Sequence, residues 1–412
     1  MALKKALIIT YEWPPKGGVG VMRVMKFAKY LSGFGWEPVI LTTDESAPGT
    51  PYRGEDAGID MTSIRVVRAG YKEALSFLPF RAREHLLQPD TKRGWYGPAV
   101  DAGRKLFERE PADIIFSTSP PETCHMIARR LKKEFGVPWV ADLRDLWSTC
   151  HFTRDSAVKR WPACFMERMI LRDADISVTV SEGWAGDLAA SSTLPRERIE
   201  VITNGYDESD FTDIPFKATP GGKFTITYTG KLHEGRQDPA AFFEALRDCI
   251  KEGLIDRTRI ELKFYVMGFR KADIRTLADS YGLTDVVKEY APVGHREILA
   301  IQRASTALLF FQWHGAPGWY SAKIFEYLGS RRPILAVTEK GSAVNRLIEE
   351  LGAGIAACSK TELKKALAKW YGEYLAKGSI ECRMDEELLK RYTRKEETRK
   401  LAGIFDQLVK GR

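Results

Sequence analysis

Residues 317–337, PGWYSAKIFEYLGSRRPILAV, decide how this chain is read. Ser321 is placed to cap a helix, Ile324, Phe325 and Leu328 recur on one helical face, and Gly329 suits the helix end. Pro333 then opens an apolar strand. The free first-turn amides and positive dipole end of so short a helix attract an anion, and Lys323 adds charge. Glu326, one turn further in, is placed to accept hydrogen bonds from sugar hydroxyls. A nucleotide diphosphate with its ribose fits this set. An ordinary amphipathic helix with a solvated lysine and glutamate fits the same residues.

Outward from that stretch, the chain alternates short apolar runs with helical patterns. In the first half, residues 5–10 (KALIIT), 37–43, 64–67, 112–119, 137–143, 175–181 and 198–204 read as buried strands, with helices such as 21–32, 122–135 and 161–173 between them. In the second half, strands fall at 224–230, 260–268, 286–292, 306–312, 333–337 and 354–357, again separated by helices. The expectation is α/β: two Rossmann-like, doubly wound domains facing across a cleft, with ligands beyond the carboxyl ends of the strands.

Length and composition permit this. A chain of 412 residues, 44% hydrophobic and 29% charged, holds two ordinary domains. No apolar run approaches the roughly 20 residues of a membrane span, and no leader pattern precedes the first strand, so the expected location is cytoplasmic. Six cysteines without CxxC or His/Cys ligand spacing read as free thiols. Basic and acidic side chains balance over the first 212 residues, so the formal charge of +8 arises in the second half. With no aromatic-interleaved basic repeat, that excess suits a nucleotide diphosphate better than nucleic acid.

Several post-strand loops carry candidate residues. The first, YEWPPKGGVG at 11–20, brings Gly17, Gly18 and Gly20 just before a helix, where backbone can approach a ligand. It does not spell G-x-G-x-x-G, since Arg23 takes the third glycine position from Gly18, which makes a nicotinamide enzyme the lesser reading. The loops STSPPE (117–122) and ADLRDLW (141–147) bring Glu122, Asp142, Arg144 and Asp145 to strand ends; such charges bind something or pair with each other. Asn204-Gly205 is a turn, and residues after it lack periodicity and read as a linker. After the first strand of the second half, Lys231 and Arg236 stand five residues apart. Residues 70–98 break the alternation with aromatics, Arg81, Arg83, Lys92 and Arg93; they read either as a surface for a lipid-linked acceptor or anionic bilayer, or as a packed cover on the sheet edge.

These motifs, in this order, resemble the retaining glycosyltransferases of family 4, particularly those of bacterial polysaccharide pathways. The resemblance rests on the Pro-Pro-x-Gly-Gly loop followed by Val21-x-Arg-x-x-Lys-Phe27, on Ser-Pro-Pro-Glu and Ala-Asp-Leu-Arg-Asp-Leu-Trp, on the Asn-Gly-x-Asp turn, and on Ser321-x-Lys-x-x-Glu-Tyr327. It implies a GT-B fold: an acceptor-side domain over residues 1–208, a linker over 209–222, a nucleotide-sugar domain over 223–384, and a terminal helix within 385–412 returning to the first domain. It further implies that Lys231 and Arg236 clamp the donor diphosphate in place of a metal, and that Gly17, Gly18, Gly20, Ser321, Lys323 and Glu326 bind the donor. Asp142 or Asp145 is expected to act at the acceptor, with Glu122, Arg144 and Asn204 beside it. Gly318 stands where the family usually has a first glutamate, and His125 does not match the family's acceptor-side histidine. The implied substrates are a nucleotide-diphosphate sugar, such as a UDP- or GDP-sugar, and a saccharide or lipid-linked saccharide at the inner face of the membrane, with no cofactor. A sugar-nucleotide 2-epimerase and a noncatalytic protein of the same fold remain the alternatives.

Overall fold

The computed structural model describes residues 3–17, 20–52, 59–73, 89–147, 157–192, 194–216, 222–233, 235–267 and 274–411. The chain divides into two compact units, one of residues 1–204 with 394–412 and the other of residues 205–393.

The first unit is built on a parallel seven-stranded sheet. In chain order it contains β1 (Lys4–Ile9), the short β2 (Lys16–Gly17), α1 (Val21–Leu31), β3 (Trp36–Thr43), β4 (Thr50–Pro51), β5 (Arg65–Ala69), α2 (Tyr96–Arg109), β6 (Ile114–Ser119), α3 (Thr123–Phe135), β7 (Trp139–Leu143), α4 (Ala157–Asp173), β8 (Ile176–Thr179), α5 (Glu182–Ser192) and β9 (Ile199–Val201). The sheet order is β5-β3-β1-β6-β7-β8-β9, and β2 pairs antiparallel with β4 outside it. Order reverses between β1 and β6, which pair directly with Ala6 opposite Ile114, so the crevice at their carboxyl ends is the expected ligand position. The central strands β1, β3, β6 and β7 are buried along nearly their whole length, as expected of strands covered on both faces. Helix α3 stops where Gly136, at φ 67°, takes the left-handed conformation that a Cβ disfavours.

The terminal helix Arg394–Lys410 belongs to this unit and packs on α1. Its Phe405 ring meets Trp36 edge-on at 5.2 Å and Phe116 at 6.0 Å, inside the cluster that also holds Phe27, Leu401 and Ile404. Burying one such phenylalanine contributes about 3 kcal/mol. Charges go inside with it: Glu397 is fully buried and accepts from the Thr203 hydroxyl and from Lys400.

The second unit repeats the winding with β10 (Phe224–Lys231), α6 (Ala240–Lys251), β11 (Ile260–Met267), α7 (Ile274–Ser280), β12 (Val287–Tyr290), α8 (His295–Ala304), β13 (Ala307–Phe311), α9 (Ala322–Gly329), β14 (Ile334–Val337), α10 (Ala343–Glu350), β15 (Gly354–Ala357), α11 (Lys360–Lys377) and α12 (Glu386–Lys390). Its parallel sheet runs β12-β11-β10-β13-β14-β15, with the reversal between β10 and β13.

The junctions differ from the expected boundaries. Residues 206–214 are not a free linker: Tyr206, Phe211 and Ile214 are buried in the second unit's core with Ile324, Phe325 and Leu328. A Cβ on Gly329 would lie 2.6 Å from the Phe211 ring, so the glycine that ends α9 also admits that ring. At the other end, α12 stays with the second unit and the crossing falls between Thr393 and Arg394. The two crossing segments run together, with the Tyr206 amide donating to the Tyr392 carbonyl at 3.1 Å.

Candidate functional site

The second unit's site lies at its order reversal. Tyr228, on β10, is wholly buried and donates through its hydroxyl to the Lys231 carbonyl at 2.9 Å. Lys323, in the first turn of α9, donates to the same hydroxyl at 2.6 Å and holds its ammonium 4.0 Å from the Tyr228 ring centroid, a cation–π contact. Gly230 makes this approach possible: it sits at φ 97°, and a Cβ there would stand 3.0 Å from Cε of Lys323. Burial lowers the Lys323 pKa to about 7, opposed by Glu326. The imidazole of His233 is pushed down to about 4, first by burial and then by Lys231 and Lys323. Lys231 is exposed beside them.

The loop carrying these cations is fixed. Gln237 receives the His233 amide at 3.1 Å and donates to the Phe311 carbonyl at 2.6 Å, tying the loop to β13. The Arg236 carbonyl accepts from the His314 amide at 2.8 Å. The structure therefore brings the Lys323 ammonium to the main chain of Lys231, 3.4 Å from its carbonyl, and sets Arg236 on the same pinned loop. Ser321 occupies the N-cap position, but its side chain makes no capping bond to α9, contrary to its reading as a hydroxyl cap. Glu326 is half-buried one turn in, 3.6 Å from Nε2 of His295. What the local sequence concealed is Tyr228 and His233; Tyr228 reads as a strand core residue, and only its hydroxyl marks it.

The first unit gathers a second set at the carboxyl ends of β1, β6 and β7. Arg144 donates from Nε to the Thr118 hydroxyl at 3.0 Å and from Nη2 to the Pro120 carbonyl at 3.1 Å. Its guanidinium lies flat on Gly20, where a Cβ would come within 1.9 Å, so glycine serves the arginine there. Asp145 is half-buried and its pKa is raised by burial, with Arg144 opposing and Asp142 adding to the rise. Burial likewise raises the Glu122 carboxyl, reinforced by Asp90, Asp145 and Glu167. Glu12 rises by burial against the pull of Arg144. Asp90, which accepts from the amide and hydroxyl of Thr123, and Glu12 were not marked by any motif.

Asp142 is a correction. It is fully buried, both carboxylate oxygens are taken by Arg23 (2.9 and 3.1 Å), and one also accepts from the Thr118 hydroxyl at 2.7 Å. Arg23 spends its remaining donors on the Ile202 and Thr203 carbonyls. Asp142 thus neutralises a buried arginine and holds Thr118 under Arg144; it is no base for a substrate. Asn204 stands apart from the Arg144 group, its carbonyl facing Nη1 of Arg394 at 3.4 Å. Gly17 pairs with Thr50 in the small antiparallel ribbon, and Gly18, like Arg81 and Arg83, lies outside the described residues. His125 is buried and held neutral, its pKa driven to about 3 by burial, with Nδ1 on the Ser117 hydroxyl at 2.8 Å. The described parts of residues 70–98 form a packed cover rather than an exposed aromatic surface: Trp95 is wholly buried and edge-on to Tyr11 at 5.6 Å.

Two Rossmann-like units, each with a site at its reversal, make this a GT-B protein. Residues 17–205 match the family model described as a glycosyl transferase 4-like domain. Among solved structures it is similar to a glycosyltransferase from Rickettsia africae (13% identity, TM-score 0.65, all of both chains covered). It is also similar to HepE of Anabaena in complex with UDP and glucose (14%, TM-score 0.58, 99% of this chain and 98% of that one). A third likeness is to a putative UDP-N-acetylglucosamine 2-epimerase from Listeria monocytogenes (13%, TM-score 0.58, 100% and 98%). No curated protein matches by sequence. Among the described residues no helix is long and apolar enough to cross a membrane.

Proposed function

We propose that the chain transfers a sugar from a nucleotide-diphosphate sugar to a saccharide or lipid-linked saccharide, retaining the anomeric configuration and using side-chain cations in place of a metal. The observation that carries this is the Lys323 ammonium at the start of α9, held 3.4 Å from the backbone carbonyl of Lys231 at the reversal of the second unit's sheet. As the bond from the anomeric carbon to the diphosphate breaks, negative charge grows on the leaving phosphate. Lys231, Lys323, Arg236 and the first-turn amides of α9 stabilise that charge. Glu326 takes the ribose hydroxyls. No side chain is needed as nucleophile on a front-face route, where the departing phosphate oxygen takes the acceptor's proton as the new glycosidic bond forms. On the first unit, Arg144, Asp145 and Glu122 orient the acceptor hydroxyls, and a lipid-linked acceptor would hold the protein at the cytoplasmic face of a membrane.

The test is a screen of UDP- and GDP-sugars for binding, then for transfer, with the product anomer read by NMR. Lys231→Ala and Arg236→Ala each lower turnover about a hundredfold, the cost of about 3 kcal/mol for one lost contact to developing charge. Full activity in either folded variant refutes the clamp. The likeness to an epimerase keeps one second reading: an altered nucleotide sugar formed with no acceptor present would establish it over transfer.

A further inference from the structure

Helix α4 turns an unusual face to solvent. At 100° per residue, Trp161, Phe165, Arg168 and Arg172 fall on a single stripe, while Glu167, Ile170 and Leu171 are buried on the other side. Trp161 is 74% and Phe165 60% exposed, and they are the two most exposed large apolar side chains among the described residues. Their rings stack with centroids 6.2 Å apart, presenting one continuous apolar tip.

The rest of the stripe is basic. Arg168 is exposed, donating from Nε to the Ser191 carbonyl at 2.8 Å, and Arg172 is 69% exposed with Nε on Asp173 at 2.9 Å. Asp173, the acid nearest that end, is shared with Arg129 at 2.6 Å and Lys133 at 3.4 Å from α3, so three cations surround one carboxylate. No acidic side chain lies on the stripe itself.

We propose that this face of α4 is an interfacial docking surface for an anionic bilayer. Trp161 and Phe165 enter the boundary between headgroups and acyl chains, while Arg168, Arg172 and Lys133 meet lipid phosphates. Charge complementarity selects this occupant. A protein partner calls for a wider apolar centre with charge kept to its rim, whereas here two rings are followed within a turn by cations. The surface stands whatever reaction the chain performs, because its test needs no substrate.

The full chain is co-sedimented with vesicles of phosphatidylcholine alone and of phosphatidylcholine mixed with phosphatidylglycerol, over a range of salt. Binding to the anionic vesicles, weakening with salt, is expected. Trp161→Ser with Phe165→Ser lowers it about tenfold or more, and Arg168→Gln with Arg172→Gln about fivefold per arginine, with thermal unfolding unchanged. Equal binding by both folded variants, or no preference for anionic vesicles, overturns the proposal. A wild-type dimer that the aromatic variant dissolves, without vesicle binding, overturns it in favour of a second copy of the chain.

Discussion

Lys323 keeps its ammonium against Tyr228 with a pKa near 7, far below the 10.5 of a free lysine. An incoming diphosphate favours the charged form and raises that value, so binding takes up a proton in the interval between the two. Nucleotide affinity is therefore greatest below pH 7 and declines as pH climbs above it; calorimetry at pH 8 in buffers of differing ionisation enthalpy reads the uptake. A titration showing none removes Lys323 from the phosphate. Asp142 makes the opposite case. Replacing it with alanine strands a buried arginine and costs about 3–5 kcal/mol in denaturant unfolding, whereas Arg23→Met with Asp142→Leu together cost far less. The motif around Asp142 was visible in the sequence, but its role was not, because the partner that claims it lies 119 residues away. Lys231 was singled out differently, by standing directly after a glycine at a strand end, where the family motif it resembles carries a basic residue.

Among elements, the β10 loop and α9 depend on each other. Gly230→Ala meets both a positive φ and the Lys323 stem, so it costs about 1–2 kcal/mol of stability and lowers nucleotide affinity together. A variant with unaltered affinity would show that Lys323 need not stand where it does. The segment after β9 is structural too. Phe211→Ala empties a site between Tyr206 and Gly329 and costs about 3–5 kcal/mol, read as a lower unfolding midpoint of the second unit. Apolar runs placed nearly every sheet strand, because the central, doubly covered strands are largely apolar. The same rule misjudged residues 206–214, where three scattered apolar residues carry no period and become core only by docking.

For the whole molecule, the division of the chain matters most. The second unit is one continuous segment, and a fragment of residues 205–393 is expected to fold alone and to bind whichever nucleotide the full chain binds. A fragment of residues 1–204 leaves Trp36 and Phe116 without Phe405 and is expected to aggregate until a peptide of residues 394–412 is supplied. Soluble, cooperative unfolding of that fragment without the peptide would contradict the role given to the terminal helix. The same helix sets the order of events during synthesis. A ribosome delivers the entire second unit before it releases the helix needed to seal the first, so the unit begun before its neighbour matures after it, and an incomplete copy carries an open greasy flank on which chaperones and proteases can act.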